Sequence, residues 1–110
     1  MEFDVQYPQD GVAVIRVVGR LNMVAAPQLR QLVTATVTEQ GRSRVVVDLS
    51  DTEFIDSSGL GALIAGLKTA RTVGGDLKIA GATSQVTTVL ELTNLHRVLR
   101  PYATVAECLT

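Results

Sequence analysis

One short segment, Asp56-Ser57-Ser58-Gly59-Leu60-Gly61, places a carboxylate, two hydroxyls and two glycines side by side. It follows a polar stretch that begins at Ser50 and precedes apolar residues at helical spacing, so it reads as the start of a helix. Asp56 or Ser57 can accept a hydrogen bond from an unpaired N–H of the first turn. Capping accounts for one of the three polar residues and leaves the glycines unexplained. Gly59 and Gly61 each cost about 1 kcal/mol relative to Ala in a helix. Glycine is kept at that cost where something approaches the backbone closely, and a phosphate or a partner protein would qualify. The chemistry that remains is a serine hydroxyl at a helix N-terminus beside a carboxylate. A nucleophilic serine would need a base and an oxyanion hole. The only histidine, His96, falls after the third predicted helix, where it reads as a surface or helix-end residue, and there is no Gly-x-Ser-x-Gly elbow. Ser57 is better placed to receive chemistry than to perform it.

Other constellations are weaker. A Gly-x-x-x-x-Gly-Lys-Ser/Thr phosphate loop is absent, and no Gly-x-Gly-x-x-Gly fingerprint follows a predicted strand. Asp48, Asp51, Glu53 and Asp56 have the residue types of a magnesium pocket. Asp48, however, sits in an apolar run and the others are spread along one loop. No catalytic residue, metal site or cofactor is therefore expected of this chain. Gly59, Ala62 and Gly66 form a small-residue stripe at helical spacing, away from the Leu60-Leu63-Ile64-Leu67 face. Such a stripe serves tight packing on a sheet or neighbouring helix, or a flat surface on which another protein docks.

These residues need a scaffold. Phe3, Val5 and Tyr7 alternate with polar residues, Pro8-Gln9-Asp10-Gly11 is a turn signal, and Val12–Val18 is rich in Val and Ile. The pattern predicts a hairpin whose second strand stops at Gly19. Pro27 suits the first turn of a helix over 26–40, with Leu29, Leu32, Val33 and Val37 on one face and Gly41 as its stop. Val45-Val46-Val47-Asp48-Leu49 reads as a strand buried on both faces. A polar loop over 50–56 follows, anchored on the core by Phe54-Ile55. Then come the helix from Ser57 or Ser58 to about Val73 and a strand at Leu77-Lys78-Ile79-Ala80. Thr83 or Ser84 can cap a third helix, Asn94 can end it in αL, Pro101 breaks the pattern, and Thr104-Val105-Ala106-Glu107 has capping-box form. Strands alternating with helices predict one α/β domain over 1–110. Its sheet would be mixed, mostly parallel and four- to five-stranded, with an N-terminal β-hairpin and three to four helices. Binding groups of such sheets gather at the carboxyl ends of the parallel strands, here Gly19–Asn22, Leu49–Asp56 and Gly81–Ser84.

The 110 residues fit one small domain, and 46% hydrophobic with 19% charged residues is a globular ratio. A formal charge of −1 argues against binding nucleic acid or an anionic membrane through bulk charge. One Cys and one His exclude disulfide scaffolds and Cys/His zinc sites, and 4% aromatics give little for base stacking. No secretory signal or stretch of about 18 apolar residues is visible, so a cytoplasmic location is expected, with Cys108 a reduced, helix-borne side chain.

Val45-Val46-Val47-Asp48-Leu49-Ser50 followed by Phe54-Ile55-Asp56-Ser57-Ser58-Gly59-Leu60-Gly61 resembles the signature of bacterial anti-sigma factor antagonists, the STAS domain family. Gly19-Arg20-Leu21-Asn22, Gly74-Gly75-Asp76-Leu77 and Val89-Leu90-Glu91-Leu92-Thr93 fit its other segments, so the resemblance covers nearly the whole chain. It implies a protein switch. The unmodified form binds an anti-sigma factor that is also a serine kinase, which frees a sigma factor for transcription. Phosphorylation of Ser57 turns binding off, and a serine phosphatase resets it. ATP and magnesium belong to the kinase. The partner-binding residues would be Asn22, Asp56, Ser57, Ser58, Gly59, Gly61 and Ala62. Asn22 stands where the family often has Asp, which keeps shape and hydrogen bonding and removes a charge. The alternative within the family is a structural subunit that docks on the ATPase of a lipid-transport ABC complex.

Overall fold

The run Val12–Leu21 is rich in Val and Ile, and in the computed structural model, which describes residues 2–109, it forms the strand on which three others pair. This strand, β2, follows β1 (Glu2–Gln6), and the two form an antiparallel hairpin with Asp4 opposite Arg16. Helix α1 (Ala26–Thr38) then leads to β3 (Arg44–Asp48), which pairs parallel with β2. Next come β4 (Thr52–Ile55), α2 (Ser57–Thr72), β5 (Asp76–Ala80), α3 (Ser84–Leu92), a 3₁₀ turn at Leu95–Arg97, β6 (Pro101–Tyr102) and α4 (Val105–Cys108). The sheet order is β1-β2-β3-β5-β6, with β4 pairing the end of β2, and every pair except the hairpin is parallel. No helix among the described residues is long and apolar enough to cross a membrane.

Period-two alternation sends the strand side chains to two faces of very different coverage. Ile15, Val17, Val45, Val47, Leu77 and Ile79 meet Leu29 and Val33 of α1, Leu63 and Leu67 of α2, and Val86 and Leu90 of α3. On the other face Val14, Val46 and Ala80 meet Tyr102, Leu109 and the short α4 with its buried Cys108. Burial pushes the Cys108 thiol above its ordinary pKa, so it stays protonated at neutral pH. All three valines of Val45-Val46-Val47 are buried, as their β-branched run predicts.

The sheet has six strands rather than four to five. The first addition is β4, where a polar loop was expected. Thr52 is fully buried and its hydroxyl donates to the carbonyl of Val17 at 2.8 Å, while Ile55 is 1% exposed. Its buried residues, Thr52 and Ile55, are three apart, so β4 carries no period-two signal. β2 also runs past Gly19 to Leu21. Gly19 takes φ 107° at a register shift, which makes it an irregularity within the strand instead of its end. The second addition, β6, begins at Pro101; proline is tolerated because β6 is an edge strand that needs no N–H on its open side. Asn94 adopts the expected αL conformation, with φ 60°.

Thr52→Val keeps the side-chain volume and leaves the Val17 carbonyl without its hydroxyl donor. The substitution is expected to cost about 1–3 kcal/mol in urea unfolding, with Thr52→Ser recovering most of the loss.

Candidate functional site

The parallel strands β2 and β4 end together, Leu21 beside Ile55, and the chain leaves β4 directly into α2. Asp56 is the hinge between them. It keeps extended geometry (φ −116°, ψ −173°), donates its N–H to the Leu21 carbonyl at 3.3 Å, and accepts the Gly59 N–H on Oδ1 at 2.9 Å. Its own carbonyl accepts the Leu60 N–H at 3.0 Å. The N–H groups of Ser57 and Ser58 have no acceptor within the helix, as expected at a helix start. Ser57 is exposed and Ser58 half-buried.

Gly59 is buried, and a Cβ on it would lie 2.3 Å from the Leu21 carbonyl oxygen and 2.8 Å from Ile55 Cγ1. The close approach that this glycine serves is therefore made by the chain itself, not by a phosphate or a partner. The small-residue stripe follows the same rule. Ala62 is 0% exposed, and a Cβ on Gly66 would meet Leu77 and Val33 side chains at 2.9 and 3.1 Å. Gly59 and Ala62 thus lie beneath the surface, where they seat α2 on the sheet and α1, and neither offers a flat face for docking. Gly61 differs. It is half-exposed, and the position of its missing Cβ lies 3.2 Å from Nη2 of Arg30, whose guanidinium crosses the first turns of α2.

Asn22 closes the other side of the site. Its Oδ1 accepts the N–H groups of Val24 at 3.0 Å and Ala25 at 3.2 Å, and its carbonyl accepts the N–H of Ala26 at 2.8 Å. This turn lifts Met23 and Val24 outward, where they are 70% and 71% exposed. The interactions use only the acceptor oxygen of Asn22, which an Asp would supply equally well. Met23, Pro27, Arg30 and Ser58 border one shallow depression, and Arg20, Asn22, Val24 and Gln28 border another. Arg20 lies over the Phe54 ring at 4.5 Å.

The structure thus brings Asn22, Asp56, Ser57, Ser58 and Gly61 around one rim. It does not bring Asp48 or Asp51 there. Asp51 binds Arg16, whose pKa it raises by hydrogen bond and charge, and Asp48 accepts the Ser50 N–H at 3.0 Å. No three His, Cys, Asp or Glu side chains converge among the described residues. Residue types alone missed Met23, Val24 and Arg30, although two adjacent apolar residues in a loop were the available signal, and Arg20 was placed only within the Gly19–Asn22 strand end. They also missed Gln85, whose carboxamide accepts the Ile55 N–H at 3.0 Å and donates to the Ile55 carbonyl at 3.3 Å.

The STAS domain model matches residues 6–108. The chain belongs to the STAS domain family. An anti-sigma-B factor antagonist of Staphylococcus aureus is 28% identical over 91 residues, 83% of this chain and 83% of that protein. The crystal structure of an anti-sigma factor antagonist from Mycobacterium paratuberculosis matches with a TM-score of 0.82 at 31% identity, covering 98% of this chain and 90% of that one. The Bacillus cell fate determinant SpoIIAA in its phosphorylated form shares the fold, with a TM-score of 0.77 at 20% identity over 98% of this chain and 96% of that one. In this STAS domain, Gly59→Ala is expected to lose about 1–3 kcal/mol through overpacking against Leu21, even though Ala is the better helix former. Asp56→Ala is expected to lose about 0.5–2 kcal/mol through the cap. Denaturant unfolding measures both, and a Gly59→Ala protein as stable as the parent would show that α2 is free to shift off β2.

Proposed function

We propose that this STAS domain is an anti-sigma factor antagonist that works as a switch. With Ser57 unmodified, it binds an anti-sigma factor that is also a serine kinase and so frees a sigma factor. A phosphate on Ser57 ends that binding, and a serine phosphatase restores it. The observation that carries the reading is the placement of Ser57. It is an exposed first residue of a capped helix, next to a half-buried Ser58 that shares a depression with exposed Met23 and with Arg30. The names of its relatives support the same reading.

The geometry suits both states. A phosphoserine carries about −1.5 to −2 charges near neutral pH. At the start of α2 it meets the positive end of the helix dipole and the free N–H groups of Ser57 and Ser58, so the modified domain keeps its fold. The rim presents an apolar centre, Met23 and Val24, between two cations, Arg20 and Arg30. A partner that fits it supplies an apolar pocket with acidic neighbours. A phosphate on Ser57 draws on the charge of Arg30 and repels those acidic groups, so binding is lost by local electrostatics.

The experiment is capture of partners from native cells on the unmodified chain, identification by mass spectrometry, and calorimetry with the recovered partner. Ser57 phosphorylation or Ser57→Asp is expected to weaken binding at least tenfold, and Ser57→Ala to leave it intact. Met23→Asp is expected to cost about 1–2 kcal/mol of binding. Equal affinity of the phosphorylated and unmodified chains would sink the switch. Recovery of a transporter ATPase with Ser57 unmodified would favour the role of a structural subunit.

A further inference from the structure

We infer that Gln85 is a positioning residue for the Ser57 turn, acting from α3 on the open edge of β4. β4 pairs with β2 along one edge only. On its other edge the Ile55 N–H and carbonyl would face no strand. Gln85 fills that place with both ends of its carboxamide, Oε1 accepting from the Ile55 N–H at 3.0 Å and Nε2 donating to the Ile55 carbonyl at 3.3 Å. These are the two bonds that a neighbouring strand would make, supplied by one side chain. Thr83 adds a third, its hydroxyl donating to the Thr52 carbonyl at 3.3 Å.

The start of α3 gives up its own interest for this contact. Thr83 is the N-cap residue by position, and a threonine there ordinarily binds an N–H of its own helix. It makes no such bond, contrary to the cap that its sequence suggests. The polar groups at the head of α3 are turned onto β4 instead. Ile55 immediately precedes Asp56, and Asp56 caps Gly59. Gln85 therefore holds the residue before the cap from the side opposite β2, and so braces the turn in which Asp56, held by the Leu21 carbonyl, caps Gly59 and presents Ser57. The inference deepens the proposed switch and rests on the reading that Ser57 is its acceptor.

The test is amide hydrogen exchange by NMR on the free full-length chain, comparing the parent with Gln85→Ala and Gln85→Glu. The telling amide is that of Gly59, which Gln85 does not touch. Val47 in the core serves as the reference. At neutral pH both variants are expected to speed exchange at Gly59 at least tenfold more than at Val47. A charged Glu cannot donate to the Ile55 carbonyl, whereas a protonated one presents an O–H donor and a C=O acceptor in the same places. Below about pH 4, near the ordinary carboxyl value, Gln85→Glu is therefore expected to regain the Gly59 protection of the parent measured at the same pH, while Gln85→Met at that pH stays faster than the parent. Gln85→Met keeps the volume and removes the pairing, and it replaces Gln85→Ala if that variant does not fold. Unchanged Gly59 exchange overturns the inference, and so does equal acceleration at Gly59 and Val47, which is what a merely structural role gives. With a partner recovered as above, Gln85→Ala is expected to lower affinity at least fivefold, and unchanged affinity also overturns it. If the parent chain captures no partner, the switch fails while the exchange result still decides the role of Gln85.

Discussion

The carbonyl oxygen of Leu21 is the point on which the site depends. It ends β2, accepts the N–H of Asp56, and lies so close to α2 that a methyl group on Gly59 would fall 2.3 Å from it. That distance fixes how near the helix comes to the sheet. Once α2 is seated there, Ala62 and Gly66 continue the close contact along the helix, and the side of α2 that carries Ser57 and Gly61 is left outward. The exposed rim is thus a by-product of packing. The tightest contact lies beneath it, and the groups that face solvent are those for which the packing has no room or no use.

Charge is arranged with the same economy. The chain carries a formal −1, and the exposed ion pairs of Arg16 with Asp51 and Asp4 sit on the thinly covered face of the sheet. They draw Asp51 away from the serine turn. Among the described residues, Arg20 and Arg30 have no carboxylate partner at the rim; one lies on an aromatic ring and the other beside Gly61. A nearly neutral domain therefore shows a locally cationic edge, where a single added phosphate, at about −1.5 to −2 charges, cancels most of the positive charge of the two arginines.

Much of this was legible in the residues. The hairpin, the buried Val45-Val46-Val47 strand, the αL Asn94 and a cap at Asp56 or Ser57, which the structure gives to Asp56, follow from local rules of periodicity and turn chemistry. β4 did not, because Thr52 is bonded to Val17, 35 residues away, and the buried Thr52 and Ile55 do not alternate. The purpose of Gly59 was half legible. Its type announced a close approach, but only the meeting of β2 with α2 shows that the approaching atom is the chain's own carbonyl. Gln85 gave no signal at all: a glutamine on a helix is ordinary, and its worth comes from the unpaired strand edge that the fold sets in front of it. What sequence missed is uniformly what distant segments do to one another.

The bonds from Gln85 to Ile55 have a consequence for synthesis. The serine and its acidic cap are translated some 30 residues before the side chain that steadies them. A nascent or proteolysed chain that stops short of α3 displays the phosphoacceptor sequence in full, but lacks the outer brace of β4 and, with it, two of the bonds that order the turn. Completion of the chain and readiness of the site are thereby coupled, so that a fragment carrying the recognisable motif is a poor imitation of the finished surface.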